Sequence, residues 1–359
     1  MQQEQVFCVE NGDTYGLLDP KDIVTVTKND FVGIGNRILF QHIGPILTFD
    51  VNLSDVQVSQ YPNIDPWILY LSSHGLRELT VRNSSSHFYK LPSYIFLCQQ
   101  LTYLNLTNCI FKQPCGTIRS FQNLKELFLY QVAFKPEVSA SIFAASKLEC
   151  LNVEMCSGMD HLNFDCCSPS LSSLVLYKNH GVKLSCFMNC KSIQCAYLVL
   201  PMEVISFSPG ERINLASFFE HWPIISSLSL DGYLLELLAA GSIMSALPLK
   251  INYLRDLTLF QVEFTELVPT ATADNNLVLQ YLQERSCMSE EINSLRFLKI
   301  KFFQGSRAEM LFVKIILACC PALERVSFED KEVEASEVSN ILKELVVFPR
   351  ASRKAQIIF

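Results

Sequence analysis

The chain is short of charge. Asp, Glu, Lys and Arg make up only 18% of its 359 residues against 49% hydrophobic, so there is ample material for a core and no case for global disorder. Positive charge is the scarcer sign: a formal net charge of -7 argues against a nucleic-acid binder, which carries a basic face. Long apolar runs are missing too. The best is "MLFVKIILACC", Met310 to Cys320, which is short and interrupted by Lys314, so no membrane partner is expected. The N-terminal stretch is polar and mixed, without the basic end and apolar run of a secretory signal. An intracellular place, cytoplasm or nucleus, follows as an expectation, with the 14 cysteines held as reduced thiols.

Catalytic signatures are equally scarce. The histidines form no HExxH, and no GxSxG, P-loop or GxGxxG occurs. Cys186, Cys190 and Cys195 lie close together in "CFMNCKSIQC", near Cys166 and Cys167, but the paired short spacings of a zinc site are lacking. These absences predict a non-enzyme with no metal and no cofactor.

What the chain has is a period. The pattern apolar-x-x-apolar-x-apolar appears at Ile46/Phe49/Val51, Leu76/Leu79/Val81, Leu101/Leu104/Leu106, Leu124/Leu127/Leu129, Leu148/Leu151/Val153, Leu171/Leu174/Leu176 and Cys195/Leu198/Leu200. It continues at Ile225/Leu228/Leu230, Leu254/Leu257/Leu259, Leu295/Leu298/Ile300 and Leu323/Val326/Phe328. Steps of 25, 23, 24, 23 and 24 residues separate the copies from Leu76 to Cys195. A leucine-rich repeat runs about 20–29 residues with the pattern LxxLxLxxN/CxL. The last two apolar positions are two apart, so on a strand they face one way and the residues around them the other. One such unit cannot bury its own apolar edge, whereas stacked neighbours make a continuous core. The predicted fold is therefore α/β: a leucine-rich-repeat solenoid with a curved parallel sheet on the concave side and helices and turns on the convex side.

Between strands, "DPWILYLSSHG" predicts a helix with Asp65 as cap, Pro66 in the first turn, Gly75 at the stop, and Trp67, Ile68 and Leu71 on one side. "GSRAEMLFVKIILACCP" predicts a helix opened by a Ser306–Glu309 capping box and ended by Pro321. "KLPSYIFLCQQ" reads as a short turn. Residues 1–30 carry no repeat, residues 31–290 form the solenoid, and 291–359 continue it. Residues 262–294 hold an insert with a helix expected from Leu277 to Leu282, and "FVGIGNRILF" is expected to cover the first strand's edge as a helix or strand. Cys109, Cys156 and Asn179 occupy the slot where the repeat wants Asn or Cys to bond backbone at the turn leaving the strand. Arg350, Arg353 and Lys354 read as a short solvated run.

Function then falls to the residues pointing outward from the strands. Tyr103, Asn105, Phe128, Tyr130, Asn152, Tyr177 and Tyr197 are the candidate partner-binding residues on the concave face. Aromatics bury much area at low entropic cost and are enriched at protein interfaces. The expected partner is a protein.

Several stretches resemble a known family. "RILFQHIGPILTF", "WILYLSSHGLRELTV", "YKLPSYIFLCQQLTYLNLTNCIFKQP", "FQNLKELFL" and "LECLNV" are similar to the plant F-box/FBD/LRR-repeat proteins. "LRFLKIKFFQGSRAEMLFVKIILACCPALERVSF" through "FPRASRKAQIIF" resembles their FBD region, so the likeness covers roughly residues 31–359. The resemblance implies substrate receptors of SCF-type ubiquitin ligases, whose F-box binds a Skp-type adaptor while the repeats hold the target, and which are not themselves catalytic. An F-box would read like "LPDxLLxxILxxLP" upstream of the "GPI" segment. "GLLDPKDIVTVTKNDF" has no such pattern, so no F-box is expected here, no position carries an adaptor contact, and a stand-alone interaction protein is the alternative.

Overall fold

The computed structural model describes residues 6–10, 23–25, 31–53, 64–112, 121–135, 145–159, 168–180, 182, 187–199, 219–232, 252–260, 292–330 and 335–358. The chain divides into two compact units, Met1–Ser192 and Ile193–Phe359.

The first unit opens with β1 (Val6–Glu10), β2 (Ile23–Thr25), α1 (Phe31–Gln41), β3 (Thr48–Asn52), α2 (Asp65–Ser72) and β4 (Glu78–Arg82). It continues with β5 (Tyr89–Lys90), a 3-10 turn over Ser93–Leu97, β6 (Tyr103–Thr107), β7 (Cys109–Phe111), β8 (Glu126–Tyr130), β9 (Ala133–Phe134), β10 (Cys150–Glu154) and β11 (Ser173–Tyr177). The long strands form a parallel ladder in the order β2-β1-β3-β4-β6-β8-β10-β11. Register puts Leu79, Leu104, Leu127, Leu151 and Leu174 in one row, and Val81, Leu106, Leu129, Val153 and Leu176 in another. Both rows are buried throughout, as the LxL spacing requires.

A second sheet, β5-β7-β9, lies where each chain turns out of its long strand. Phe111 and Phe134 of this sheet pack with Phe96 and Phe121, ring centroids 5.4–5.8 Å apart. The turn itself is regular: Asn108, Gln131, Met155 and Lys178 each take φ of 48–52°, one residue before the Asn/Cys slot. Cys109 Sγ then donates to Thr107 O at 3.2 Å and Cys156 Sγ to Glu154 O at 3.4 Å. Asn179 does most: its Nδ2 donates to Val153 O at 2.6 Å and its Oδ1 accepts from Cys156 N at 2.9 Å, tying its repeat to the one before.

α1 and α2 pack through Trp67, which is fully buried and donates from Nε1 to Asn36 Oδ1 at 2.7 Å. A Cβ at Gly35 would run into the Trp67 ring, so only glycine lets α1 approach. Trp67, Ile68 and Leu71 are buried as expected, but Asp65 is the first helical residue rather than the cap; Ile64 holds the cap position and makes no side-chain bond there. The "FVGIGNRILF" stretch is helical, and β1 and β2 supply the strands beyond β3. Phe7 and Val9 stand in register with Phe49 and Val51, so the ladder extends into residues 1–30 although no LxxLxL motif marks it.

The second unit contains β12 (Cys195–Val199), β13 (Ser227–Asp231), β14 (Asp256–Phe260), β15 (Phe297–Phe303), α3 (Arg307–Cys319), β16 (Arg325–Asp330), α4 (Ala335–Val347) and β17 (Gln356–Ile358). Its strands run parallel in chain order. The repeat frame at β12 corrects the sequence reading. Ala196 pairs with Leu228 and Leu198 with Leu230, so the motif is Ile193/Ala196/Leu198, all buried, and Cys195 is exposed rather than core. A small alanine in a leucine position hid the frame. The error is two residues, and strand side chains alternate with period two, so Tyr197 still points outward.

The capping box at α3 is present in both directions: Ser306 Oγ accepts from Glu309 N, and Glu309 Oε2 accepts from Ser306 N at 2.8 Å. β17 was not foreseen. The turn before it is fastened by Ser352 Oγ, buried and donating to Leu323 O at 2.6 Å, and by Arg350 Nη1, donating to Ala355 O at 3.0 Å. Arg350 is therefore a structural bond and not simply a solvated charge. The expected helix at Leu277–Leu282, with most of the insert, lies outside the described residues.

Candidate functional site: the outward face of the sheet

β6, β8, β10 and β11 each bury their second and fourth residues and leave the first, third and fifth half-buried or exposed. Those outward residues line up as three rows. The first holds Tyr103, Glu126, Cys150 and Ser173; the second, Asn105, Phe128, Asn152 and Val175; the third, Thr107, Tyr130, Glu154 and Tyr177.

Six of the seven candidate residues thus fall on one face. Tyr103 and Phe128 touch diagonally, ring centroids 5.4 Å apart, and Asn105 Nδ2 donates to Tyr103 Oη at 3.3 Å. Asn105, Phe128 and Asn152 are side by side in the middle row. Asn152 Oδ1 is shielded from solvent and has no hydrogen-bond partner among the described residues. Tyr130 is 38% exposed and stands across Glu154 from Tyr177, whose ring carries Lys178 Nζ at 5.3 Å. Both tyrosines are the last residues of their strands.

Tyr197 belongs to the second unit and has different company. Its ring meets Phe260 edge-on at 5.1 Å, and Lys301 Nζ sits 5.1 Å over the Phe260 ring and 3.5 Å from Glu329. Lys299 also pairs with Glu329, holding that carboxyl below its usual range. Phe260, Lys299, Lys301 and Glu329 were missed from sequence. The available signal was their place at the third and fifth positions of strands set by the LxL frame.

Among the described residues Cys98, Cys109, Cys156, Cys190 and Cys320 are buried. Burial pushes the Cys98, Cys156 and Cys320 thiols up to about 12, so they stay protonated and poorly nucleophilic at neutral pH. Among the described residues no group of three or more His, Cys, Asp and Glu is placed to hold a metal. Cys166, Cys167 and Cys186 lie outside the described residues, Cys190 is buried, and Cys195 is exposed. Among the described residues no helix is long and apolar enough to cross a membrane.

Two comparisons with known proteins agree with this architecture. The family profile described as FBD-associated F-box protein At5g56370, LRR repeats, matches residues 64–215. The chain is also 28% identical to F-box/FBD/LRR-repeat protein At1g13570 of Arabidopsis thaliana, over 95% of this chain and 86% of that one. Eleven of its strands were expected from a repeat that the structure stacks in parallel, and on both comparisons the chain is similar to the F-box/FBD/LRR-repeat proteins of plants.

Proposed function

We propose that the outward sheet face docks a protein, and that the chain is the target-recognition part of an SCF-type ubiquitin ligase receptor, itself non-catalytic and working in the cytoplasm or nucleus. The observation that carries the docking reading is the Tyr103–Asn105–Phe128 cluster. Two aromatic rings and an amide stand half-exposed on a rigid parallel ladder, beside the unsatisfied Asn152 Oδ1. Rings fixed in advance lose little entropy on contact, and an orphan acceptor gains from a donor brought by a partner. The ligase role rests on the family alone.

A second reading has its own support. β1 and β2 place two stretches upstream of Gly44 in the parallel ladder, whereas an F-box is expected to be helical. On that reading the chain engages its partner without recruiting an adaptor.

Affinity capture from plant extract, quantified by mass spectrometry, tests both. Tyr103→Ala with Phe128→Ala should lower recovery of the wild-type partner about tenfold or more, as for paired interface hot spots, without moving the unfolding midpoint. Unaltered recovery places the site elsewhere. Direct binding of a purified Skp-type adaptor to the chain supports the ligase reading and rules out the stand-alone one.

A further inference from the structure

The outward rows of β6, β8, β10 and β11 carry carboxylates and aromatics but no cation. Across β6, β8, β10 and β11 the outward positions include Glu126 and Glu154 and neither Lys nor Arg. On the neighbouring β3 and β4, Asp50 is paired with Arg82 at 2.8 Å, while Glu78 accepts only a hydroxyl bond, from Thr48 Oγ1 at 3.1 Å. Glu126 and Glu154 have no ion pair among the described residues. Glu126 stands beside Tyr103, and Glu154 stands between Tyr130 and Tyr177. Parallel strands are about 4.8 Å apart, so each of these carboxylates lies within reach of a cation resting on the neighbouring ring.

The second unit shows a cation held between a ring and a carboxylate. There the fifth positions of β14, β15 and β16 read Phe260, Lys301 and Glu329, and the lysine rests on the ring while pairing with the carboxylate. In the first unit the corresponding row reads Tyr130, Glu154, Tyr177. Lys178 Nζ lies 5.3 Å from the centre of the Tyr177 ring, and among the described residues no ion pair joins it to Glu154.

Resting on the docking reading above, we propose that this face takes a basic protein segment, with a lysine or arginine side chain seated over the Tyr130–Glu154–Tyr177 row and a second at Glu126 beside Tyr103. Charge complementarity selects the partner: carboxylates flanked by rings favour guanidinium or ammonium groups and repel acidic segments. The chain's net charge of -7 steers the same class of partner at longer range.

The test is selection of a phage-displayed random dodecapeptide library on the full chain, followed by binding of the selected peptides to variants. The proposal expects enrichment of Lys and Arg, a tenfold or greater loss of affinity with Glu154→Gln, and a similar loss with Tyr130→Ala plus Tyr177→Ala. Glu344→Gln, an equal charge change at an exposed position on α4, should leave affinity unchanged. Peptides that lose binding with Tyr103→Ala plus Phe128→Ala yet lack basic residues, or ignore Glu154→Gln, overturn the basic-segment proposal and leave the docking face standing. An equal loss with Glu344→Gln also overturns it, since it reports only net charge. A library that yields no peptide dependent on any of these sheet-face residues overturns both.

Discussion

Asn108, Gln131, Met155 and Lys178 hold left-handed backbone at the same point of successive repeats, and none is glycine. That conformation costs an L-residue about 1–2 kcal/mol, partly offset because glycine loses more entropy on folding. Met155, φ 52° and 37% exposed, has no local hydrogen bond of the Asn type to compensate. Met155→Gly should therefore stabilise the chain by ~0.5 kcal/mol, seen as a higher urea midpoint with unchanged slope. The inward leucines go the other way. Leu104, 1% exposed between Leu79 and Leu127, should cost ~2–5 kcal/mol when cut to alanine, measured by the same unfolding curve. Thiol chemistry gives a third residue-level expectation. In the folded chain a soluble thiol reagent should modify Cys195 and spare Cys98, Cys109, Cys156 and Cys320, with peptide mapping as the readout.

At the scale of the element, α3 supplies a pH signature. Glu309 is buried at the helix start, and desolvation raises its carboxyl above the ordinary 4.5 despite its bonds to Ser306 and Gln304. A raised acid pKa means the folded state holds the proton more tightly than the unfolded one. The group thus favours folding most below 4.5, and that contribution is lost as pH rises through the raised folded value. Glu309→Gln keeps an acceptor for the capping box and removes the titration. The stability of this variant relative to the parent should climb as pH is raised from about 4 towards 7; a flat difference across that range would refute the assignment.

The elements also show which features were legible in sequence. The LxL strands, α2 and the Ser306–Glu309 box could be read because each leaves a local imprint: alternation, Pro at the helix start, a reciprocal polar pair. The β5-β7-β9 sheet could not, because two- and three-residue strands leave no period, and the left-handed residue that opens them takes Asn, Gln, Met or Lys alike. β12 was framed two residues late for want of a leucine at Ala196. The outward faces of the candidate site followed from strand parity, but the company each residue keeps did not. Tyr103 meets Phe128 and Tyr197 meets Phe260 only through register across strands far apart in the chain.

For the molecule as a whole, a parallel ladder makes each strand depend on its two neighbours, with little direct coupling further off. The Leu104→Ala change should accordingly raise amide exchange at β4, β6 and β8 while β12 to β17 keep their protection, by hydrogen-exchange mass spectrometry. Faster exchange spread evenly over the chain would mean an all-or-none cooperative unit instead.

The parity seen at β12 has a consequence for how such chains diversify. Adding or deleting two residues within a strand keeps its faces, because side chains alternate with period two; a change of one inverts them and buries polar groups. In-frame changes of sequence length should therefore survive freely in the returns and, within strands, only in pairs. Under that rule the exposed alphabet of each repeat can be rewritten without disturbing the scaffold. A lineage built this way can acquire new targets faster than it acquires new folds.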